Sequence, residues 1–169
     1  GNPNVGKGVI FGLLTGKYVT VSNYPGTTVE LSRAFSRFGK KKYLVIDTPG
    51  TNSLIPQSED EEVTRNILLE EKAEVVVQVA DSKNIRRALS ISLQLAEMGV
   101  PFILDLNMVD EARSRGIYID DKRLSEILGI EALPTVATRR KGINTLIKSI
   151  SKPAKSTARV NYGEILESA

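Results

Sequence analysis

Gly1-Asn2-Pro3-Asn4-Val5-Gly6-Lys7-Gly8 opens the chain and fits the phosphate loop G-x-x-x-x-G-K-[ST] at every position but the last. Glycines let such a backbone curl until successive N–H groups point inward at phosphate oxygens, and the helix that follows presents the positive end of its dipole. Lys7 would reach the β- and γ-phosphates of a nucleotide. The mismatch has a defined consequence, because the hydroxyl normally found at the last position ligates magnesium and Gly8 has no side chain. Magnesium binding should be weakened and hydrolysis slowed, while nucleotide binding survives through the backbone cradle and Lys7. Taken alone, the same stretch also reads as a Gly/Asn turn before a helix.

Outward from the loop, apolar β-branched runs alternate with helical patterns, as βαβ units with a mostly parallel sheet require. The pattern predicts strands over 30–38, 41–47, 74–80, 101–107 and 132–137, and helices over 7–15, 60–71, 84–98, 121–128 and 142–150. Ile85, Ala88, Leu89, Leu93 and Ala96 recur at helical spacing before Gly99, a stripe that reads as core packing. Arg33, Arg37, Lys40, Lys41 and Lys42 surround a Gly39 turn, which predicts an antiparallel hairpin with a solvated, charged tip. The expected fold is therefore α/β, a P-loop three-layer sandwich. Such a loop follows a buried strand, yet the chain opens on the loop's first glycine. The expectation is that upstream residues supply a first strand, mid-sheet, that is missing here. Residues 1–150 are expected to form one nucleotide-binding domain, and 151–169, beginning with a Lys/Ser/Ala stretch around Pro153, a linker and the start of a truncated unit.

Three further segments carry chemistry. Asp47-Thr48-Pro49-Gly50 follows the apolar run Tyr43-Leu44-Val45-Ile46, so a carboxylate ends a strand where open α/β sheets bind ligands. Asp47 would hold a magnesium-bound water and the Gly50 N–H would sense a γ-phosphate. Asn107-Met108-Val109-Asp110 ends the next-but-one strand. A carboxylate such as Asp110 accepts two hydrogen bonds from guanine N1–H and N2–H₂, whereas adenine presents an acceptor at N1 and nothing at position 2. Asn107 would brace the loops and contact the N7 side of the base. In Val136-Ala137-Thr138, the Ala137 N–H is placed to meet guanine O6. The first switch is expected within 17–30, around Asn23-Tyr24-Pro25-Gly26-Thr27-Thr28-Val29, with Thr28 closing on the γ-phosphate and magnesium and Thr27 the near alternative. In order and spacing these pieces describe a G-protein fold that binds GTP and GDP.

Composition narrows the chemistry. With 169 residues, 41% hydrophobic and 25% charged, the chain suits one domain with a real core. Cysteine and histidine are both absent, which removes disulfides, thiolate metal sites and the usual general base. No apolar run approaches membrane-spanning length, so the piece is expected to be soluble. A net charge of +3 hints at an anionic ligand or membrane surface rather than nucleic acid.

Beyond the shared motifs, four stretches resemble the ferrous iron transport protein B family. These are Gly1-Asn2-Pro3-Asn4-Val5-Gly6-Lys7, Asn23-Tyr24-Pro25-Gly26-Thr27-Thr28-Val29-Glu30, Asp47-Thr48-Pro49-Gly50-Thr51-Asn52-Ser53-Leu54 and Leu106-Asn107-Met108-Val109-Asp110-Glu111-Ala112. The 84–98 helix and Pro134-Thr135-Val136-Ala137-Thr138-Arg139 look alike too, and Tyr162-Gly163-Glu164 resembles the approach to the helical domain that follows in this family. The resemblance implies a slow GTPase on the cytoplasmic face of the bacterial inner membrane, joined to helical and membrane domains of its own polypeptide and serving ferrous iron uptake. Thr51 stands where other GTPases carry a water-orienting glutamine. Asn4 is implied as the side-chain ligand of an activating potassium ion. Gly8 and Gly12 depart from the family pattern, and self-association is left open.

Two other readings compete. A soluble ribosome-assembly or tRNA-modifying GTPase would share the loop and the N-x-x-D motif but carry a basic RNA-binding domain beyond residue 169. A hydrolysis-impaired nucleotide-binding switch is the reading that Gly8 favours.

Overall fold

The computed structural model describes residues 1–16, 19–71 and 73–158. The start of the expected first switch at 17–18 and the Tyr162-Gly163-Glu164 segment lie outside the described residues. Helix α1 (Lys7–Thr15) leads to the antiparallel strands β1 (Thr20–Asn23), β2 (Glu30–Phe38) and β3 (Lys41–Asp47). Then come α2 (Glu59–Glu70), β4 (Val76–Asp81), α3 (Ile85–Glu97), β5 (Phe102–Asn107), α4 (Val109–Ser114), α5 (Asp121–Leu128), β6 (Ala132–Pro134) and α6 (Ile143–Ile150). Strands β4, β5 and β6 form a parallel sheet in that order, each connected by a helix.

Strand β5 is the spine of this sheet, and all six of its residues are buried. Its side chains alternate between two cores, as period-two geometry demands. Phe102, Leu104 and Leu106 pack with Ala88, Ile91 and Leu95 of α3 and with Leu128 of α5. Ile103 points the other way, toward Val5, Ile10 and Leu14 near the chain start and Ile143, Leu146 and Ile150 of α6. Helices on both faces complete three layers. Each fully buried Leu, Ile or Phe contributes about 1.5–3 kcal/mol, so β5 anchors whatever sits at its end. A third, smaller core sets Val63 and Ile67 of α2 against Leu31 of β2 and Val29 just before it.

Among the described residues no ladder joins β3 to β4. A cavity of about 360 Å³ runs between them, lined by Tyr43, Val45, Val77 and Val79, with Phe11 and Leu14 of α1 beside it.

Several predicted bounds shift for local reasons. The strand expected at 74–80 runs over Val76–Asp81, because its ladder to β5 starts only after Pro101, which has no N–H to give. The strand expected at 132–137 stops at Pro134, and Ala137 begins a 3-10 turn through Arg139. Strand β1 and the short helix α4 were not anticipated.

Candidate functional site

The phosphate loop is shaped by two left-handed residues, Asn4 (φ 60°) and Gly6 (φ 91°), before α1 begins at Lys7. Asparagine is among the few side chains that tolerate this region. At Gly6 a second constraint applies: a Cβ would fall 2.5 Å from Asn107 Nδ2, so only glycine admits the close approach. Lys7 folds back across the loop, its ammonium donating to the Asn2 carbonyl at 3.0 Å. Burial lowers the Lys7 ammonium below its ordinary value, and the Asp47 carboxylate opposes that shift.

Asp47 ends β3 on the opposite wall. Burial raises its carboxyl above the usual range while Lys7 pulls it down. A carbon added at Gly8 would stand 3.9 Å from Asp47 Oδ2, so the two positions expected to meet a magnesium ion are adjacent. Further along, Gly50 lies against the phosphate loop so tightly that a Cβ would come within 2.7 Å of Pro3 Cα. The Thr51 N–H donates to the Gly1 carbonyl at 3.0 Å, and Asn2 Nδ2 donates to the Thr51 carbonyl at 3.3 Å and to Asn52 Oδ1 at 3.2 Å. The phosphate loop and the D-x-x-G loop are thus stitched into one surface, and within the latter the Thr48 hydroxyl donates to the Pro49 carbonyl at 3.4 Å. Glu61 fixes the continuation, accepting from the N–H groups of Gln57 and Asn52, which hold its carboxyl below the ordinary value.

Asn107 ends β5 and joins the remaining pieces. Its Nδ2 donates to the Val5 carbonyl at 3.0 Å, while its Oδ1 accepts from the Ala137 N–H at 3.0 Å. Met108, left-handed at φ 61°, turns the chain into α4 and sets Asp110 in that helix's first turn. Arg139 approaches Asp110 Oδ2 at 3.7 Å, so the turn that follows Val136 comes beside Asp110.

The threonines of the first switch are engaged elsewhere. Thr28 is exposed and donates to Glu59 Oε2 at 3.2 Å, at the start of α2. Thr27 donates to the Tyr24 carbonyl and accepts from the Val29 N–H, closing the turn that contains Gly26. Sequence reasoning missed Glu61, Arg139 and the buried pair Asp105 and Thr135. For Glu61 a signal existed, since Ser58-x-x-Glu61 has the form of a capping box, and Ser58 Oγ does accept from the Glu61 N–H.

A phosphate loop opening into α1, with D-x-x-G and N-x-x-D after strand ends of a three-layer α/β sandwich, defines the P-loop GTPase class of fold. The family model described as ferrous iron transport protein B matches residues 1–150. The chain is 40% identical over 176 residues to an Fe(2+) transport protein A/Fe(2+) transporter FeoB fusion protein of Porphyromonas gingivalis, covering 100% of this chain and 21% of that one. The cytosolic domain of the T. maritima FeoB iron transporter, solved in GDP and GMPPNP forms, superposes with a TM-score of 0.91 at 36% identity, covering 99% of this chain and 68% of that one. The FeoB G-domain from Methanococcus jannaschii aligns with a TM-score of 0.78 at 40% identity over 89% of this chain and 91% of that one. The chain belongs to the ferrous iron transport protein B family. It spans about a fifth of the length of the curated relative it matches, and no described helix is long and apolar enough to cross a membrane.

Proposed function

We propose that residues 1–150 bind GTP and GDP in the cleft from Lys7 to Asp110, hydrolyse GTP slowly, and act as the nucleotide-controlled switch of a ferrous iron uptake transporter. The observation that carries this reading is Asn107, whose one carboxamide is bonded both to the phosphate loop at Val5 and to the base-side loop at Ala137. A nucleotide-length ligand is the chemistry that such a span suits.

In this reading the N–H groups of the 1–8 loop and Lys7 hold the phosphates. Asp110 reads the guanine edge, and the Ala137 N–H meets O6. The Gly50 N–H reports the γ-phosphate from its seat on Pro3. Thr28 would have to leave Glu59 to join them. Magnesium, when bound, neutralises charge on the β,γ-oxygens. Among the described residues no group of three or more acidic, His or Cys side chains gathers to hold a metal. A single carboxylate, Asp47, suits an ion carried mainly by phosphate oxygens and water. Asn4 would be the ligand for potassium. A relative named as an Fe(2+) transporter and a neighbour named as a cytosolic domain support a cytoplasmic placement; by the family resemblance that face is the inner membrane's, with 151–169 leading toward helical and membrane domains.

Gly8 favours a second reading, a switch that binds nucleotide with hydrolysis impaired. Both are tested by displacing fluorescent mant-GDP with GDP, GTP and ATP, with and without magnesium and potassium, alongside single-turnover hydrolysis. GDP is expected to compete on the order of a thousandfold better than ATP, and Asp110→Asn to erase that preference. Equal competition by ATP sinks the guanine assignment, while tight GTP binding without cleavage selects the second reading.

A further inference from the structure

Directly beneath the base-side wall lies a polar pair to which the reading above gives no task. Asp105 sits in the middle of β5, opposite Val79 of β4 and Leu133 of β6, and is wholly buried. Thr135, also buried, brings its Oγ1 to 2.5 Å from Asp105 Oδ1 and 3.3 Å from Asn107 Oδ1. Asp105 Oδ2 is buried with no partner. A threonine hydroxyl has one proton, so it serves one of these two acceptors at a time.

The protonation state of Asp105 decides which. When the carboxyl is ionised, Thr135 donates to it, because a charge-assisted hydrogen bond is the stronger. Asn107 Oδ1 then keeps only the Ala137 N–H and faces an oxygen lone pair of Thr135. When the carboxyl is neutral, its proton is satisfied on Oδ1 by donating to Thr135 Oγ1, since Oδ2 has no acceptor beside it. Thr135 is thereby free to donate to Asn107, which gains a second donor.

We infer that Asp105 is a positioning residue that, through Thr135, sets how firmly Asn107 is held between the phosphate loop and the base-side loop, so that guanine-nucleotide affinity is greater when the Asp105 carboxyl is protonated. The inference rests on the proposed place of Asn107 in the nucleotide cleft. Burial pushes the carboxyl up to about 7, with the Thr135 hydrogen bond pulling the other way. The elements around β5 bring few charges. Asp81 at the end of β4 is occupied by Lys83 and Asn84, Lys7 at the start of α1 by Asn2, and α6 carries Lys148, while β6 has none. Arg139 in the turn after β6 faces Asp110. None of them bonds to Asp105 or shifts its titration.

The test compares the unmodified domain with Asp105→Asn and Thr135→Val between pH 5.5 and 8.5, reading mant-GDP affinity and, without nucleotide, the side-chain amide resonances of Asn107 by NMR. The asparagine amide donates to Thr135 as the neutral carboxyl does. Titration of the nucleotide's own phosphate is common to all three proteins and cancels in their ratios. The expected result is affinity falling about fivefold from pH 6 to pH 8 relative to Asp105→Asn, the loss of one neutral hydrogen bond. Thr135→Val should show the weaker affinity at both ends of the range. The Asn107 amide should titrate in the unmodified domain alone. Parallel pH profiles for the unmodified domain and Asp105→Asn, or an Asn107 amide indifferent to pH, overturn the inference. A titrating amide in a domain that binds no mant-GDP would support the relay and overturn the nucleotide assignment instead.

Discussion

Gly8 and Asp47 face each other so closely that a side-chain carbon at the glycine would stand 3.9 Å from the carboxylate Oδ2. Among the described residues, apart from the chain and helix backbone next to Gly8, nothing else lies within 4 Å of that carbon, so a serine fits without displacing a neighbour. Gly8→Ser would set a hydroxyl beside Asp47, completing the pair of oxygen donors that the phosphate-loop pattern expects. Magnesium-dependent GTP turnover should rise by about tenfold, equivalent to ~1.4 kcal/mol of barrier. Phosphate release measured with and without magnesium checks this, and equal rates for both proteins would discard the idea.

Gly50 presents the opposite case. A Cβ there meets Pro3 Cα at 2.7 Å and Pro3 N at 2.9 Å, both backbone-fixed atoms that cannot rotate aside. Gly50→Ala should therefore push the D-x-x-G loop off the phosphate loop, costing about 1–3 kcal/mol of stability as overpacking does. Urea denaturation reads the cost. Preference for GTP analogues over GDP should shrink in parallel, and an unchanged midpoint would show that the two loops are free to part.

Asn107→Leu keeps much of the volume but deletes the bonds to Val5 and Ala137. Left behind are a buried carbonyl and a buried N–H, each costing about 1–3 kcal/mol when unsatisfied. The variant is expected to unfold at lower urea and to lose mant-GDP binding by more than tenfold. Retention of full affinity would mean that the bridge holds the fold and not the ligand.

For Asp105 the sign of the pH effect on stability follows from linkage. Its carboxyl titrates near 7 in the folded domain, above the ordinary 3.8. Its contribution is fully present below pH 4 and is lost as the pH rises through 7, because a proton held only in the folded state is given up. Asp105→Asn should match the unmodified domain near pH 4 and exceed it at pH 8, by up to roughly 4 kcal/mol. Denaturation midpoints at the two pH values test this, and a difference that does not grow with pH contradicts it.

What the sequence made legible is what chemistry ties to particular residue types at strand ends. Lys7–Thr15, Glu30–Phe38, Lys41–Asp47 and Asp121–Leu128 are observed at their predicted bounds, because strong period or turn signals flank each of them. Strand β1 escaped notice since Thr20-Val21-Ser22-Asn23 is exposed throughout and buries no alternating face. Helix α4, with six residues, is too short to display a helical period. The shortened β6 reflects a tertiary contact, in which Asn107 captures the Ala137 N–H that a longer strand would have used. The same holds for Asp105, which reads as one polar residue in an apolar strand until folding brings Thr135 to it from 30 positions away. Thr28 likewise makes a contact that sequence spacing does not announce, its hydroxyl donating to Glu59, 31 positions downstream.

The double attachment of Asn107 also bears on how a ligand departs. Since one carboxamide fastens the Val5 loop to the Ala137 turn, on the proposed placement of the nucleotide slackening either end slackens both. Dissociation should then run as a single exponential, and a partner that pries at the Ala137–Arg139 turn from outside would eject the nucleotide without ever touching its phosphates.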